Sequence, residues 1–557
     1  PVYGWGFVNA ERAVRGPAQF FQGGFLANVN RAGTWTFAND ISGQGGLVKE
    51  GVGSLRLSGN NTFAGDTDVR DGNLILSGSV SGNVRNAATF TSEGGRIGGN
   101  YETLAERITQ VVVSRGLEVT GNATLAGTLN LLAPTDPQYQ IREAERILRA
   151  GSIAGQFANV TVGSDFFYNA TLAYSATDVT ANLVRKSAAV KALAMGADAG
   201  VVAGARRMDG LLDYLWAGNG NAEIRTAAFG IAGTADAESA MLSMTSLVGQ
   251  VHGTVRAAAI EQAQGDAAVL ADRAFDLRRS GEGAEAWAQI VGRDGTLKSD
   301  GFADADLNST GLLIGADMPV SDSIRVGAAL TSTRGSGDLD GLAGSLDTDR
   351  MGIGLYAMAK GERAYASVTV GFDRLDVETE REIDLGAAGA GLVSSDRKDR
   401  VQHGRIEAGY ELASGVVPYA AFGGLRHRQG GFAEVGENAS VGAIALTANA
   451  DSHSVSYAEA GLRLDRATAA GGSWGGLLSG RWTLSGEDVS YRAAFNGALP
   501  VEFDAEGQEL AGSVVRVGLN YMSPERNGWR WFAEGVAEGN SDGVRDSRLG
   551  LGVRKSF

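Results

Sequence analysis

From Glu285 to the end of the chain runs a train of segments in which apolar residues occupy every second position, with polar or small residues between them. Met351, Ile353, Leu355 and Ala357 alternate with Gly352, Gly354 and Tyr356, and Ala364, Ala366, Val368, Val370 and Phe372 with Tyr365, Ser367, Thr369 and Asp373. Ile406, Ala408, Tyr410 and Leu412 flank Arg405, Glu407, Gly409 and Glu411. Ala458, Ala460, Leu462 and Leu464 flank Tyr457, Glu459, Gly461 and Arg463, and Val515, Val517, Leu519 and Tyr521 flank Arg516, Gly518 and Asn520. A period of two marks a strand with one greasy and one polar face. About twelve such strands are expected, starting near Glu285, Leu307, Ile324, Thr348, Ala364, Val401, Val416, Ser454, Trp474, Leu510, Trp529 and Arg545. An even number of such segments predicts a 12-stranded antiparallel transmembrane β-barrel, because only closure satisfies every strand edge in lipid. Links at 319–323 and 414–415 suit periplasmic turns, whereas those at 335–346, 378–399 and 428–451 would face outside. A soluble β-sandwich also alternates. Regular inward charges, and Trp287, Trp474, Trp482, Trp529 and Trp531 near strand ends, favour the barrel.

Upstream, the period changes. In residues 23–185 short alternating runs are punctuated by Gly, Asn and Asp, as in Leu47-Val48-Lys49-Glu50-Gly51-Val52-Gly53-Ser54-Leu55-Arg56-Leu57-Ser58-Gly59-Asn60-Asn61. These read as strands and turns. Stacked coils would bury a continuous apolar column and turn their corners on Gly/Asn ladders, giving a right-handed parallel β-solenoid stem. Residues 116–129 form a further rung, and 142–149 are open to a short helix. Residues 186–283 are Ala-rich and predict helices over 187–216 and 236–279, separated by Gly-rich 217–234. In the second, Met241, Met244, Val248, Val251, Val255 and Ala259 follow helical spacing. It is either a core or coiled-coil helix, or a plug threading the barrel lumen. The train of amphipathic strands directly after it favours the plug. Ala257, Ala258, Ala259, Ala263, Ala267 and Ala268 keep it thin, while His252, Arg256, Glu261, Gln262, Gln264 and Asp266 could meet a polar wall.

Composition narrows the class. The 557 residues suit several domains, and 82 Gly against 8 Pro fit solenoids and barrels, where Gly lets strands bend and approach. A net charge of −15 without clustered Lys/Arg argues against nucleic-acid binding. Cysteine is absent, which suits a surface protein that crosses the oxidising periplasm unfolded and excludes thiolate metal sites. The four histidines, His252, His403, His427 and His453, lack metal-ligand spacing, so neither metal nor cofactor is expected. No run of 18 apolar residues predicts a transmembrane helix. No signal peptide opens the chain, and Pro1-Val2-Tyr3 is read as a cut into a longer precursor.

Several segments resemble one family. Tyr3-Gly4-Trp5-Gly6-Phe7-Val8-Asn9-Ala10-Glu11-Arg12-Ala13 resembles the last turn and helix of subtilisin-like domains. Residues 47–76 resemble the passenger-associated transport repeat of autotransporters, and 147–160 their autochaperone region. The final strand places Leu549, Leu551, Val553 and Phe557 on one face, with Arg548, Gly550, Gly552 and Arg554 between; it resembles the assembly signal of outer-membrane barrels. Lys555 stands where that signal carries an apolar residue, and a lysine near the interface can snorkel. In this order the segments resemble the C-terminal part of a subtilase-type autotransporter of the type V secretion pathway. The resemblance implies four regions: a subtilisin-like remnant at 1–22, the stem at 23–185, the helical linker and lumen helix at 186–283, and the translocator at 284–557. It also implies an outer-membrane location with stem and passenger at the cell surface. The implied partners are outer-membrane lipid, the Sec pathway, periplasmic chaperones, the barrel assembly machinery, the chain's own N-terminal passenger and a protein substrate of the parent protease. A monomer is expected.

A subtilase needs Asp, His and a Ser within Gly-Thr-Ser, the His acting as base and the Asp orienting it. The sequence contains no Gly-Thr-Ser, so this chain is expected to be catalytically inert, with any triad before Pro1. Glu407 and Glu411 beside Glu459 could form a hydrolytic carboxylate pair. Facing Arg405, Arg463 and Arg516, they read better as a lumen charge network. The residues expected to hold the helix in the lumen are therefore Arg405, Glu407, Glu411, Glu459, Arg463, Arg481, Arg516, Arg256 and Glu261, with Leu549, Leu551, Val553 and Phe557 as the assembly signal. The alternatives are a surface adhesin without protease activity and a plain porin-like channel. The 280-odd residues before the barrel disfavour the channel.

Overall fold

The computed structural model describes residues 10–132, 144–163, 166–234, 236–298, 301–339, 344–412, 415–506, 509–539 and 545–557. Two compact units emerge, one from residues 1–196, 208–243 and 385–389 and the other from 197–207, 244–384 and 390–557.

The first unit contains a parallel β-solenoid of three seven-stranded sheets, each sheet taking one strand from successive coils. One coil runs Gly46–Glu50, Ser54–Leu57, Asn60–Asn61; the next runs Thr67–Val69, Asn73–Leu76, Ser79–Val80. Parallel register stacks Leu55 on Leu74 and Leu74 on Phe90, so an apolar column fills the interior. Each fully buried Leu or Phe contributes about 1.5–3 kcal/mol. Several polar side chains are built into this core with partners. The Lys49 ammonium donates to the carbonyls of Glu50 (2.9 Å), Gly51 (2.7 Å) and Asp71 (3.0 Å). The Tyr101 hydroxyl meets Thr109 Oγ1 at 2.7 Å. At one corner asparagines climb the stack, Asn83 Oδ1 accepting from Asn100 N and Asn100 Oδ1 from Asn122 N, both at 2.8 Å. Close stacking leaves no room at the turns: a Cβ on Gly65 would lie 2.6 Å from Gly46 N. The hairpin Tyr168–Tyr174 with Asp178–Arg185 ends the parallel order by pairing antiparallel with Ala144–Arg149. That last segment, open to a short helix in the sequence, is a strand because Ile147 and Leu148 complete the core.

Helix α1 is Ala10–Val14, and Pro1–Asn9, which carry most of the subtilisin-like resemblance, lie outside the described residues. The expected helix over 187–216 is two, α2 (Ala188–Ala194) and α3 (Ala199–Trp216), broken at Gly196 with φ +71°. Gly-rich 217–234 is not a linker but contains α4 (Ala222–Ala232). Asn221 caps α4 by accepting from Ile224 N, and Ile224, Ala227, Ala228 and Ile231 bury its apolar face; local capping and burial outweigh the glycines. The expected helix over 236–279 is α5 (Ala237–Ser246) and α6 (Gln250–Asp276), divided at Gly249, whose φ of +62° no L side chain adopts comfortably.

The second unit is a closed antiparallel barrel of twelve strands. They are β1 Glu285–Leu297, β2 Ala305–Ser321, β3 Ile324–Leu339, β4 Gly344–Lys360, β5 Ala364–Asp384, β6 Ala390–Tyr410, β7 Val416–Gln429, β8 Asp451–Ala467, β9 Ser473–Ser485, β10 Ser513–Met522, β11 Trp529–Gly539 and β12 Arg545–Ser556. Each pairs with the next, and β12 pairs with β1 from Glu285↔Ser556 to Thr296↔Arg545, so no edge is left open. The expected outer links at 335–346 and 378–399 are largely strand: β3 to β6 run on, and β5 and β6 pair over their full lengths up to a tip at 385–389. Their inward apolar residues, Leu375, Val377 and Val401 among them, pack on the lumen core and extend the ladder. Likewise Pro319 and Ser321 belong to β2. Along β4, Met351, Ile353 and Leu355 are exposed while Tyr356 and Met358 are buried. Trp474, Trp482, Trp529 and Trp531 face outward, half exposed. Trp287 does not. Strand parity places it on the buried side with Gln289 and Val291, opposite exposed Ile290, and its ring donates to Tyr356 Oη at 2.8 Å.

Candidate functional site in the barrel lumen

Helix α6 is 27 residues, about 40 Å at 1.5 Å per residue, enough to cross a hydrocarbon layer of about 30 Å. Yet it is not a membrane span, for among the described residues no helix is long and apolar enough to be one. It is buried on all sides while carrying His252, Arg256, Glu261, Asp266 and Arg273 in its buried surface. Such a helix needs a wall that supplies opposite charge, because an unpaired buried charge is costly.

The wall does so in a circuit that begins and ends on the helix. Asp272 of α6 accepts from Arg463 of β8 at 2.6 Å, and Arg463 reaches Glu407 of β6 at 3.2 Å. Glu407 takes Arg405 at 2.7 Å, and Arg405 takes Glu459 of β8 at 2.6 Å. Glu459 accepts from Arg516 of β10 at 3.0 Å, and Arg516 donates to Glu538 of β11 at 2.8 Å. Arg481 of β9 stands 3.5 Å from Glu538 and 3.2 Å from Glu261, back on α6. The hydroxyls of Tyr365 and Tyr419 donate to Glu407 (2.5 Å) and Glu459 (2.6 Å), so each carboxylate has several donors. Two further clusters pin other sides of the helix. Arg273 binds Asp317 (2.5 Å) and Glu285 (2.7 Å), while Asp317 also takes Arg325 (3.1 Å) and Tyr356 (3.1 Å). Asp266 meets Arg350 at 3.0 Å, and Arg350 meets Asp373 at 2.7 Å.

Apolar contacts lie above and below this polar middle. Val251, Val255 and Ile260 pack with Leu297, Leu375, Val377 and Val401, and Leu270, Phe275 and Leu277 with Trp287, Tyr365 and Val417. Beside Ala258 and Ala259 remains a cavity of about 70 Å³, and beside Asp272 and Phe275 one of about 60 Å³. Each space has room for a few waters but not for a second peptide segment.

Of the residues expected at the lumen, Arg405, Glu407, Glu459, Arg463, Arg481, Arg516 and Glu261 are thus joined in one circuit. Arg256 lies apart, donating to Asp451 at 3.1 Å and Ser490 O at 2.6 Å. Glu411 is not in the lumen network. It follows the end of β6, is half-buried, and is 3.8 Å from Arg278, just beyond the end of α6. Its inward parity continues past the end of β6, but there it meets the end of the helix and not the central circuit. Leu549, Leu551 and Val553 are exposed on the outer face of β12, Phe557 just past its end is exposed too, and Lys555 donates to Asn527 O at 2.8 Å. Sequence reasoning missed Asp272, Arg273, Asp317, Arg350, Glu538 and the two tyrosines. Strand parity sets Tyr365 opposite the apolar row of its strand, but only cross-barrel pairing says which inward groups touch the helix or its partners.

Residues 286–535 match the family described as Autotransporter beta-domain, and residues 47–76 that described as Passenger-associated-transport-repeat. The barrel is an autotransporter translocator. This translocator is an outer-membrane protein. Its chain is 26% identical over 589 residues to the extracellular serine protease of Serratia marcescens, covering 83% of this chain and 54% of the relative. It is 25% identical over 644 residues to the neisserial autotransporter lipoprotein NalP of Neisseria meningitidis serogroup B, covering 99% of this chain and 56% of the relative. The chain spans about half the length of these curated relatives. The solved translocator domain of NalP aligns over 56% of this chain and all of its own, at 15% identity and a TM-score of 0.47.

Proposed function

We propose that this chain exports and anchors an N-terminal passenger that is a subtilisin-like serine endopeptidase, and that α6 remains in the lumen as its plug. The observation that carries the plug is the charge circuit, which starts at Asp272 and returns at Glu261 of the same helix. A helix merely in transit would not need charged partners all around the wall. The protease passenger is supported by the extracellular serine protease relative and by the subtilisin-like run before α1. On this reading the chain itself is inert: its lumen carboxylates are tied to guanidiniums. The stem folds outside coil by coil, and burial of each coil opposes back-sliding without ATP. Leu549, Leu551, Val553 and Phe557 form the signal for the barrel assembly machinery; deleting Phe557 should lower the yield of heat-modifiable barrel. The plug is tested by removing residues 236–279 and recording conductance in planar bilayers. A large rise is expected, and an unchanged pore would refute it.

A further inference from the structure

Two long links of the barrel fold into a small domain of their own. Phe432–Ala433 and Leu446–Ala448, from the link between β7 and β8, form a four-stranded sheet with Ser490–Phe495 and Ala498–Glu506, from the link between β9 and β10. Ile444, Leu446, Phe495 and Ala498 are fully buried, so this is a packed lid and not a pair of loose loops.

The lid grips the start of α6. Glu434 is buried, and its carboxylate accepts from Arg381 Nε and Nη2, both at 2.7 Å, and from Leu446 N at 2.7 Å. A fourth contact, at 2.9 Å, is His252 Nε2 on the first turn of α6. Arg397 Nη1 approaches His252 Nδ1 at 2.7 Å, and a guanidinium can only donate. The ring therefore accepts at Nδ1 and donates from Nε2 to Glu434. The same ring stacks on Phe432 with centroids 4.0 Å apart. Tyr491 Oη donates to Gly249 O at 3.0 Å, and Ser490 O accepts from Arg256. A Cβ on Gly249, strained already by its φ of +62°, would fall 2.3 Å from Leu446 Cδ1 and push that lid side chain aside. Thus the lid's inner surface is completed by groups that only the seated helix brings.

We infer that the lid is a latch coupled to α6: it closes when the Gly249–His252 turn reaches the barrel mouth, and once closed it holds the helix against slipping. This rests on the plug reading and extends it. Coupling of this kind is reciprocal, so a change that loosens the helix must loosen the lid by the same factor. An extended chain passing through the lumen offers neither the His252 ring at Glu434 nor a fixed Gly249 carbonyl at Tyr491, so the lid stays open during export.

The test uses the full chain in outer membranes, with trypsin added outside. Arg492, on the lid and largely exposed, is the reporter bond. His252→Ala and the milder Tyr491→Phe should each speed cleavage after Arg492, by about 5- to 150-fold, the usual range for coupled sites. Deleting residues 236–279 should speed it at least as much. Glu434→Gln should raise the frequency of channel openings in planar bilayers. If the deletion opens the pore while cleavage after Arg492 keeps its rate, the latch is wrong and the plug stands. If the pore and the cleavage rate are both unchanged, the plug reading has failed and the latch with it. Unchanged cleavage in both point variants, with normal heat-modifiable mobility, would also overturn the latch.

Discussion

Asp317→Asn should open the pore without unfolding the barrel. The Asp317 carboxylate is buried and serves two guanidiniums, Arg273 of the helix and Arg325 of the wall, besides the Tyr356 hydroxyl. Asparagine keeps the shape and one acceptor but removes the charge. Arg273 then keeps Glu285 as an anionic partner, while Arg325 keeps the neutral carbonyls of Gly281 and Gly283 and loses its anion. Breaking one partner of a buried pair costs about 3–5 kcal/mol, mostly as uncompensated charge. If about 3 kcal/mol of that falls on the seated helix, the unseated population rises about 100-fold, since 1.4 kcal/mol is about a factor of ten. Single-channel recording of the refolded chain reads this as open probability. A double-mutant cycle with Arg273→Met separates the helix contact from the wall contact; a coupling of about 1.5–3 kcal/mol is expected. The exposed pair Arg334–Asp349, at 3.0 Å, is the control, and Asp349→Asn should change stability by about 0–1 kcal/mol. Equal open probability for Asp317→Asn, Asp349→Asn and the parent would refute the claim that these ion pairs hold the helix.

Lys49→Met should destabilise the stem by roughly 2–4 kcal/mol, because three carbonyls lose their common donor; a chemical-denaturation midpoint for that unit equal to the parent's would contradict it. Alkali should unfold the same unit through Tyr101. Burial pushes its hydroxyl up to about 12 against the hydrogen bond to Thr109, so the folded state prefers the neutral phenol. With the folded pKa raised, that stability is full below the ordinary value of 10 and is lost as pH climbs through about 12. Circular dichroism should show a loss of strand signal across that window that Tyr101→Phe shifts upward. On the barrel's outer face, Leu551→Arg should cost up to about 2–4 kcal/mol, the loss growing with depth in the bilayer, read as a lower midpoint for heat modification. Arginine there with the parent's midpoint would mean that Leu551 does not face lipid.

The sequence by itself determined the barrel and the solenoid. Period two is a local property of each strand, and an outward row such as Met351, Ile353 and Leu355 is legible without knowing its neighbours. The same parity put Arg405, Glu407, Glu459 and Arg463 inside. Where local parity stops being the whole cause, reading fails. Glu411 keeps the inward parity but lies past the end of β6, where it meets Arg278 beyond α6 and not the central circuit. Trp287 reads by residue type as a membrane-interface ring, whereas its partner Tyr356 lies 69 residues away. Glycines hid α4, because its helix is decided by a capping Asn221 and a buried face. Tertiary structure alone decided which inward charges meet. Asp272 finds Arg463 across 191 residues, and His252 finds Glu434 across 182. Closure of the twelve strands brings those groups within hydrogen-bond reach, and burial away from water makes each pairing worth enough to fix where the helix rests.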